Sequence, residues 1–552
     1  MTVPEGAGRP PSDAGPAQAR RELTDWAGDS TAPGLCLVTG ARGTGKSRLL
    51  AWYFTGTAPD PARRVHALVP AAGLTAEVFC WELGRQLGYG ALGAPDILRR
   101  MDRDTRPVLL AVADLHRAAG TAPQEIVRGL LDPLVSLPHV RLLAEVADSG
   151  APAWSQPCRE VALTGSGDAP QPVDAAAESI RMLAAVPLGP AGTPDWEQAP
   201  DEVRAGVLEH ALAGGTAARL TGDPGFLVHG PAPAITAALA DPRTPAPRGL
   251  RAVWRRAAPA LTALGLTGPE RAAVLHTAAL SEDPKLAAYL EPLARRHAWT
   301  ALWAVTEPAA ALGLGADGLL VADPVGRLSV LDPAAGAVRS RVPLDAALRP
   351  AGIAVAEGGG LLLLDADETL HPAGPMSNAL SRVADLHNTT GTPPTAVTAH
   401  GRRVAVGDAD GRVHVWDAAA HDRGPVTRRL HPAPLTAAAL VHAGGSGLAL
   451  CLSGGADGTL RLWETGSDPM PEPVDRREAV VTALAAADTP SGPVVAAAWS
   501  DGEVHLWDLF AATRRVLTPP FRAAALALTP GATLFVGGAA GVAALDTRPA
   551  AP

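Results

Sequence analysis

LCLVTGARGTGKSRLLAW, residues 35–52, decides how the first part of the chain folds. A short apolar run, 35–39, leads directly into Gly40-Ala41-Arg42-Gly43-Thr44-Gly45-Lys46-Ser47 and then into a stretch of helical periodicity, 47–54. This is G-x-x-x-x-G-K-[ST] in the strand–loop–helix setting that gives the motif its meaning. Glycines let backbone N–H groups curl around phosphate oxygens without a Cβ in the way. The following helix contributes its free N-terminal N–H groups and its dipole. In that geometry Lys46 sets a point charge against the β- and γ-phosphates, and Ser47 offers a hydroxyl oxygen to Mg²⁺. The loop residues Gly40, Arg42, Gly43, Thr44, Gly45, Lys46 and Ser47 are therefore the expected nucleotide-binding set.

Composition sharpens this expectation. Of 47 basic residues only Lys46 and Lys285 are lysine, so arginine has taken the solvated positions and a retained lysine in this loop is informative. No [NT]-K-x-D guanine motif is formed around either lysine, which favours ATP or ADP over a guanine nucleotide.

Outward from the loop, further apolar runs at 65–70, 108–114 and 140–147 alternate with helical stretches at 75–87 and 124–135. Continuous apolar strands between helices predict a parallel sheet covered on both faces, an α/β P-loop NTPase domain over 18–175. A second oxygen ligand for Mg²⁺ is expected at a neighbouring strand end, and Asp114 closes the run VLLAVAD there. A polar strand terminus or a helix cap is the structural alternative for Asp114. Leu115 and His116 follow Asp114, where a water-orienting glutamate often stands. His116 and Glu145 are the remaining catalytic candidates, each with a purely structural role as the alternative, so slow or absent hydrolysis is expected.

Residues 1–17 are rich in Pro, Gly and Ala and are expected to be a disordered tail. Residues 176–296 show helical patterns and no convincing strand, predicting a helical domain with helices near 203–213, 233–240, 249–264 and 269–279. From 297 to 552 the texture becomes short strands and turns. VAVGDADGRVHVWD (404–417), CLSGGADGTLRLWE (451–464) and AAAWSDGEVHLWD (496–508) repeat one unit, LLVADPVGRLSVLD (319–332) fits it, and weaker copies end near Asp365 and at Asp546. A period of roughly 38 to 47 residues predicts an all-β WD-repeat propeller of about six blades, with seven also compatible because 366–393 is long and poorly patterned. Asp-Gly supplies the positive-φ turn and each Trp the packing between blades. Residues 299–305 are expected to donate the outer strand that closes the ring. This half shows no clustered histidine or carboxylate signature, so a non-catalytic docking platform for a protein partner is expected.

A net charge of -9 speaks against general nucleic-acid or anionic-membrane binding, and no apolar run is long enough to span a bilayer. Without a signal-peptide pattern, and with four cysteines lacking any ligand spacing, a reducing cytoplasmic setting without disulfides or zinc is expected.

ARREL (19–23), LVTGARGTGKSRLLAW (37–52), VLLAVADLHRA (108–118), the helical segment and the C-terminal repeats together resemble the signal-transduction ATPases with numerous domains, the NLR-like group, and more narrowly actinobacterial P-loop NTPase/WD-repeat proteins. The resemblance implies a nucleotide-dependent switch, closed with ADP and open with ATP, with ATP-dependent homo-oligomerisation and partner sensing by the repeats. Gly222-Asp223-Pro224 resembles the G-x-P that such helical modules place beside adenine. Against that group's pattern, no effector domain is expected before the ATPase segment, and the strand at 140–147 has no Arg-rich ending. The competing readings are a non-hydrolysing ATP-bound scaffold and, more remotely, a small-molecule kinase.

Overall fold

The computed structural model describes residues 17–547 apart from 30, 42–43, 58–63, 73, 90–91, 105, 119–121, 148–151, 164–174, 190–191, 241–243, 262–265, 345–347, 376, 390, 419, 421–423 and 444–447. The tail 1–16 and the loop residues Arg42 and Gly43 thus lie outside the described residues. Contacts divide the chain into two compact units, Met1–Leu264 and Gly265–Pro552, each considered by itself.

The first unit opens with helix α1 (Ala17–Gly28), strand β1 (Leu35–Gly40), α2 (Lys46–Thr57), β2 (Ala67–Pro70), α3 (Ala76–Gln86), α4 (Ala94–Arg103) and β3 (Val108–Ala113). A 3₁₀ turn (Leu115–Arg117) leads to α5 (Ala122–Ile126), which passes through a π turn (Val127–Leu131) into α6 (Asp132–Val135), followed by β4 (Val140–Glu145) and β5 (Cys158–Leu163). The five strands form one sheet in the order β2-β3-β4-β1-β5, parallel throughout. Every residue of β1 is buried. Because successive side chains alternate, Leu35 and Leu37 join one core with β2, β3 and helices α3 to α6, while Cys36 and Val38 join another with α1 and α2. Each such fully buried leucine stabilises the fold by roughly 1.5–3 kcal/mol. Thr75 caps α3 by accepting from Val78 N.

The same unit continues as helices α7 (Ala175–Ala184), α8 (Asp201–Ala213), α9 (Ala218–Thr221), α10 (Pro224–His229), α11 (Ala232–Ala240) and α12 (Leu250–Leu261), with α12 packed on α3. Asp223 caps α10, its carboxylate accepting from Gly225 N and Phe226 N and from the Trp196 indole at 2.8 Å. Gly222-Asp223-Pro224 therefore serves here as a helix start.

The second unit begins with α13 (Gly268–Ala279), held by a Thr267/Glu270 capping box, and α14 (Pro284–Ala294). These two helices fall on the propeller side of the division, although their periodicity matches that of the preceding helices. Strand β6 (Thr300–Val305) follows. Blade one is β7 (Ala311–Gly315), β8 (Gly318–Ala322), β9 (Leu328–Leu331) and β10 (Val338–Val342). Blade two has three strands, β11 (Pro350–Val355), β12 (Leu361–Asp365) and β13 (Leu370–Ala373), and is followed by helix α15 (Ser377–Thr389). Blade three is β14 (Pro394–His400) to β17 (Val426–Arg429), through β15 (Arg403–Asp408) and β16 (Arg412–Asp417). Blade four is β18 (Leu435–Ala443), β19 (Leu448–Gly455), β20 (Thr459–Glu464) and β21 (Asp475–Arg476). Blade five is β22 (Val481–Thr489), β23 (Gly492–Trp499), β24 (Val504–Asp508) and β25 (Thr513–Leu517). The last sheet is β26 (Ala525–Leu528), β27 (Thr533–Gly538), β28 (Gly541–Asp546) and, as its outer strand, β6 from the start of the unit.

The ring therefore has six blades, and β6 closes it as the sequence led us to expect. The poorly patterned segment 366–393 is not a seventh blade. It holds β13 and α15, whose Leu380, Val383, Ala384 and His387 form a buried helical stripe against blades two and three. Asn388 finishes the edge of blade two: Leu370 N donates to Asn388 Oδ1 at 2.8 Å and Asn388 Nδ2 donates to Leu370 O at 2.9 Å. One side-chain amide thus supplies the donor and acceptor that a fourth strand would have offered. Gly411, Gly458 and Gly502 of the Asp-Gly turns all have positive φ. Trp463 is fully buried between blades three and four.

The expectation of no histidine or carboxylate clustering in this half is corrected by the structure. His431, Asp457, Ser453 and Thr459 converge within blade four, and His414 with Asp408 within blade three, although they are up to 28 residues apart in sequence. His431 Nδ1 lies 3.1 Å from Asp457 Oδ1 and its Nε2 2.8 Å from Ser453 Oγ, so the ring ties the Asp-Gly turn to strand β19.

Candidate functional site

The parallel strands β1, β3 and β4 end on one edge of the sheet, and the loop after β1 crosses that edge into α2. Ligands of open α/β sheets bind outside the carboxyl ends of the strands. Gly40 has φ +141, and a Cβ there would meet Leu163 O at 2.6 Å and Thr44 Oγ1 at 2.8 Å. Gly45 has φ +92, a left-handed backbone that favours glycine, and no described atom lies within 4 Å of an added Cβ.

Lys46 is the first residue of α2 and is only 6% exposed. Its Nζ donates to Gly40 O at 2.6 Å and Ala41 O at 3.0 Å. Among the described residues no carboxylate lies within ion-pair distance of it, so its charge is buried against carbonyl dipoles alone at the positive end of a helix. A buried cation so placed gains most from an anion.

Ser47 Oγ donates to Glu145 Oε1 at 3.1 Å, and Asp114 N donates to Glu145 Oε2 at 3.4 Å. The register explains the meeting: Glu145 stands opposite Val38 on β1, and Val112 of β3 is opposite Ala144. Glu145 is nearly fully buried, and burial, then the Asp114 charge, raise its pKa, while the Ser47 hydrogen bond, the Asp114 N–H and Lys46 lower it, for a net rise. Asp114 adopts φ 51, ψ 35, a left-handed conformation tolerated by aspartate and concentrated at functional turns. Its carboxylate is 3.8 Å from the Arg117 guanidinium. His116 has its pKa lowered, by burial first and opposed by Asp114, and its buried Nδ1 takes no hydrogen bond among the described residues. The residue directly after Asp114, Leu115, is fully buried in the core.

Lys46, Ser47, Asp114 and Glu145 are thus brought to one strand edge, with His116 one turn beyond. A glycine-lined cradle, a buried ammonium and three hard oxygen donors fit a polyphosphate with a divalent cation. Sequence reasoning did not single out Thr39 and Glu160: Thr39 Oγ1 donates to Glu160 Oε1 at 2.8 Å, joining β1 to β5 immediately before the loop. The signal was weak, because β5 has three exposed residues in succession and does not read as a buried strand.

No family model matches the chain, and no curated protein matches it. Among solved structures it is similar to the β-propeller domain of Cps50 (Swd1) from Myceliophteria thermophila, at 13% identity over 45% of this chain and 98% of that chain, with a TM-score of 0.32. Among the described residues no helix is long and apolar enough to cross a membrane.

Proposed function

We propose that the first unit binds Mg-ATP and that the protein is a nucleotide-dependent regulatory switch whose propeller docks a protein partner in the cytoplasm. The observation carrying this reading is Lys46: a buried cation at a helix N-terminus that, among the described residues, pairs only with loop carbonyls, beside the left-handed Gly45. Lys46 would take the β- and γ-phosphates, and Ser47 with Asp114 would hold Mg²⁺, which supplies charge neutralisation on the phosphates. Gly40, Thr44 and Gly45, with Arg42 and Gly43 outside the described residues, would supply the cradle. Glu145 is the residue we assign to orienting water; its raised pKa and its place between Ser47 and Asp114 suit a weak base. His116, neutral at pH 7 by the direction of its shift, would act as a hydrogen-bonding neighbour. The resemblance to signal-transduction ATPases adds the expectation of ADP-closed and ATP-open forms, the latter self-associating.

One observation favours the second reading, a non-hydrolysing ATP-bound scaffold: the position after Asp114 is a buried leucine and offers no water-orienting group. The test of nucleotide binding is an equilibrium titration of the full chain with a fluorescent ATP analogue, with and without Mg²⁺, beside Lys46→Ala. Saturable Mg²⁺-dependent binding lost in the variant supports the assignment; equal signals from both proteins overturn it. Single-turnover hydrolysis then separates switch from scaffold.

A further inference from the structure

Blades one to five carry acids at the turn between their second and third strands, and in four of them a basic side chain answers the charge. In blade one Arg327 Nε is 2.6 Å from Asp323 Oδ2. In blade three Arg412 Nη1 is 2.5 Å from Asp410 Oδ2 and 3.9 Å from Asp408 Oδ2. In blade four the His431 ring lies 3.1 Å from Asp457 Oδ1. In blade five Arg477 reaches Asp501 at 2.7 Å and Glu503 at 2.8 Å.

Blade two is the exception. The pairings of Leu364 with Leu370 and of Gly407 with Val413 put Asp365-Ala366-Asp367-Glu368-Thr369-Leu370-His371 in the same frame as Asp408-Ala409-Asp410-Gly411-Arg412-Val413-His414 of blade three. Both aspartates and the histidine recur, but Thr369 stands where blade three has Arg412. Among the described residues neither Asp365 nor Asp367 pairs with a lysine or arginine side chain. Ligand atoms of Asp365, Asp367 and His371 all lie within 4.8 Å of one another, the only such grouping among the described residues. Asp365 is buried and accepts from Arg349 N. The Thr369 hydroxyl donates to Asp367 Oδ1 at 2.7 Å and lies 2.8 Å from His371 Nε2, holding both side chains on one side of the turn. The Asp365 and Asp367 carboxyls are within hydrogen-bonding reach of each other. Two carboxyls approach so closely only with a proton or a cation between them. In blade three the His414 ring is held by Asp408 and by Thr427 of the fourth strand, and blade two has no fourth strand.

We propose that the β12–β13 turn of blade two binds a divalent transition-metal ion through Asp365, Asp367 and His371. The donor set selects the class: carboxylate oxygens alone suit Mg²⁺ or Ca²⁺, and the imidazole turns the preference to Zn²⁺ and its neighbours. Donor atoms on one Zn²⁺, with bonds of about 2 Å, stand about 3–3.5 Å apart, so the grouping closes on an ion by about 1 Å of side-chain movement. Asp367 is exposed and His371 half-buried, which permits that movement and leaves a fourth position to water. The ion supplies the positive charge that Arg412 supplies in blade three, and it ties the β12–β13 turn to the outer strand of the three-stranded blade.

The test uses the full tag-free chain, stripped of metal by chelation and free of nucleotide, in a Cys158→Ser background because Cys158 is an exposed thiol. Calorimetric titration with Zn²⁺ is expected to show one equivalent bound, and Co²⁺ a visible spectrum without a thiolate charge-transfer band. Asp365→Asn, Asp367→Asn and His371→Gln are each expected to weaken binding by about tenfold or more, with Zn²⁺ no longer raising the melting temperature. Asp365 is buried, so Asp367→Asn and His371→Gln, at less buried positions, keep the test decisive if Asp365→Asn compromises folding. Thr369→Arg, which gives blade two the guanidinium of blade three, is expected to abolish binding in a folded ring. Asp410→Asn, at the matching turn of blade three, should leave the titration unchanged. No stoichiometric binding, or binding that survives the blade-two variants, overturns the proposal.

Discussion

Ser47 Oγ and Glu145 Oε1 are 3.1 Å apart, joining the first turn of α2 to the carboxyl end of β4. The serine hydroxyl that would ligate Mg²⁺ donates to a carboxylate whose other oxygen holds Asp114 N. Glu145 is therefore both the brace of the strand edge and its most buried acid, and its two roles separate on substitution.

Glu145→Gln keeps an acceptor oxygen for Asp114 N, while its amide N–H can donate to Ser47 Oγ instead of accepting from it, and it removes the base. Mg-ATP affinity should stay within about tenfold of wild type, while single-turnover hydrolysis falls by about 100-fold or more. Quench-flow with radiolabelled ATP measures both. Unchanged hydrolysis would remove Glu145 from the water-orienting role.

Because burial raises the Glu145 pKa, its carboxylate form is reached at a higher pH than that of an ordinary glutamate. Hydrolysis should rise with pH through that shifted pKa and then level, and the Glu145→Gln variant should lose this limb. A pH profile of the single-turnover rate reads it directly.

His387 on α15 packs edge-on against His414 at 4.8 Å, accepts from the Trp416 indole at Nε2, and has its pKa lowered to about 4, chiefly by burial, then by His414, against an opposing Asp408. The unfolded chain binds this proton near pH 6.5 and the folded chain only near 4, so the stability is fully present above about 6.5 and is lost as pH falls towards about 4. The loss approaches about 3 kcal/mol. Denaturant titrations at pH 7 and pH 4.5 should differ less in His387→Gln than in wild type.

Asn388→Ala removes both bonds to Leu370 and leaves the edge of blade two unpaired. A cost of about 1–3 kcal/mol follows, with hydrogen exchange at the Leu370 amide accelerated ahead of the rest of the ring. Asn388→Asp should not restore it, since a carboxylate cannot donate to Leu370 O.

How much of this was legible depended on whether a segment's pattern was set locally. Residues 35–52 announced strand, loop and helix because each carries its own signal: an apolar run, glycines, then helical periodicity. The Asp-Gly and Trp-Asp pairs did the same for three blades, and the run at 299–305 for closure. Strand β5 was missed because Cys158, Arg159 and Glu160 are exposed and break the apolar pattern. Helix α15 was missed although Leu380, Val383, Ala384 and His387 have helical spacing, because a repeating strand context pointed the other way. The meeting of Ser47 with Glu145, and of His431 with Asp457, depends on strand order, which no local spacing encodes.

The most direct test of the central claim is to denature freshly purified protein, identify the released nucleotide by chromatography, and repeat this with Lys46→Ala. Near-stoichiometric adenine nucleotide from wild type and none from the variant is the predicted result. An empty wild-type protein that also fails to bind added Mg-ATP would contradict it.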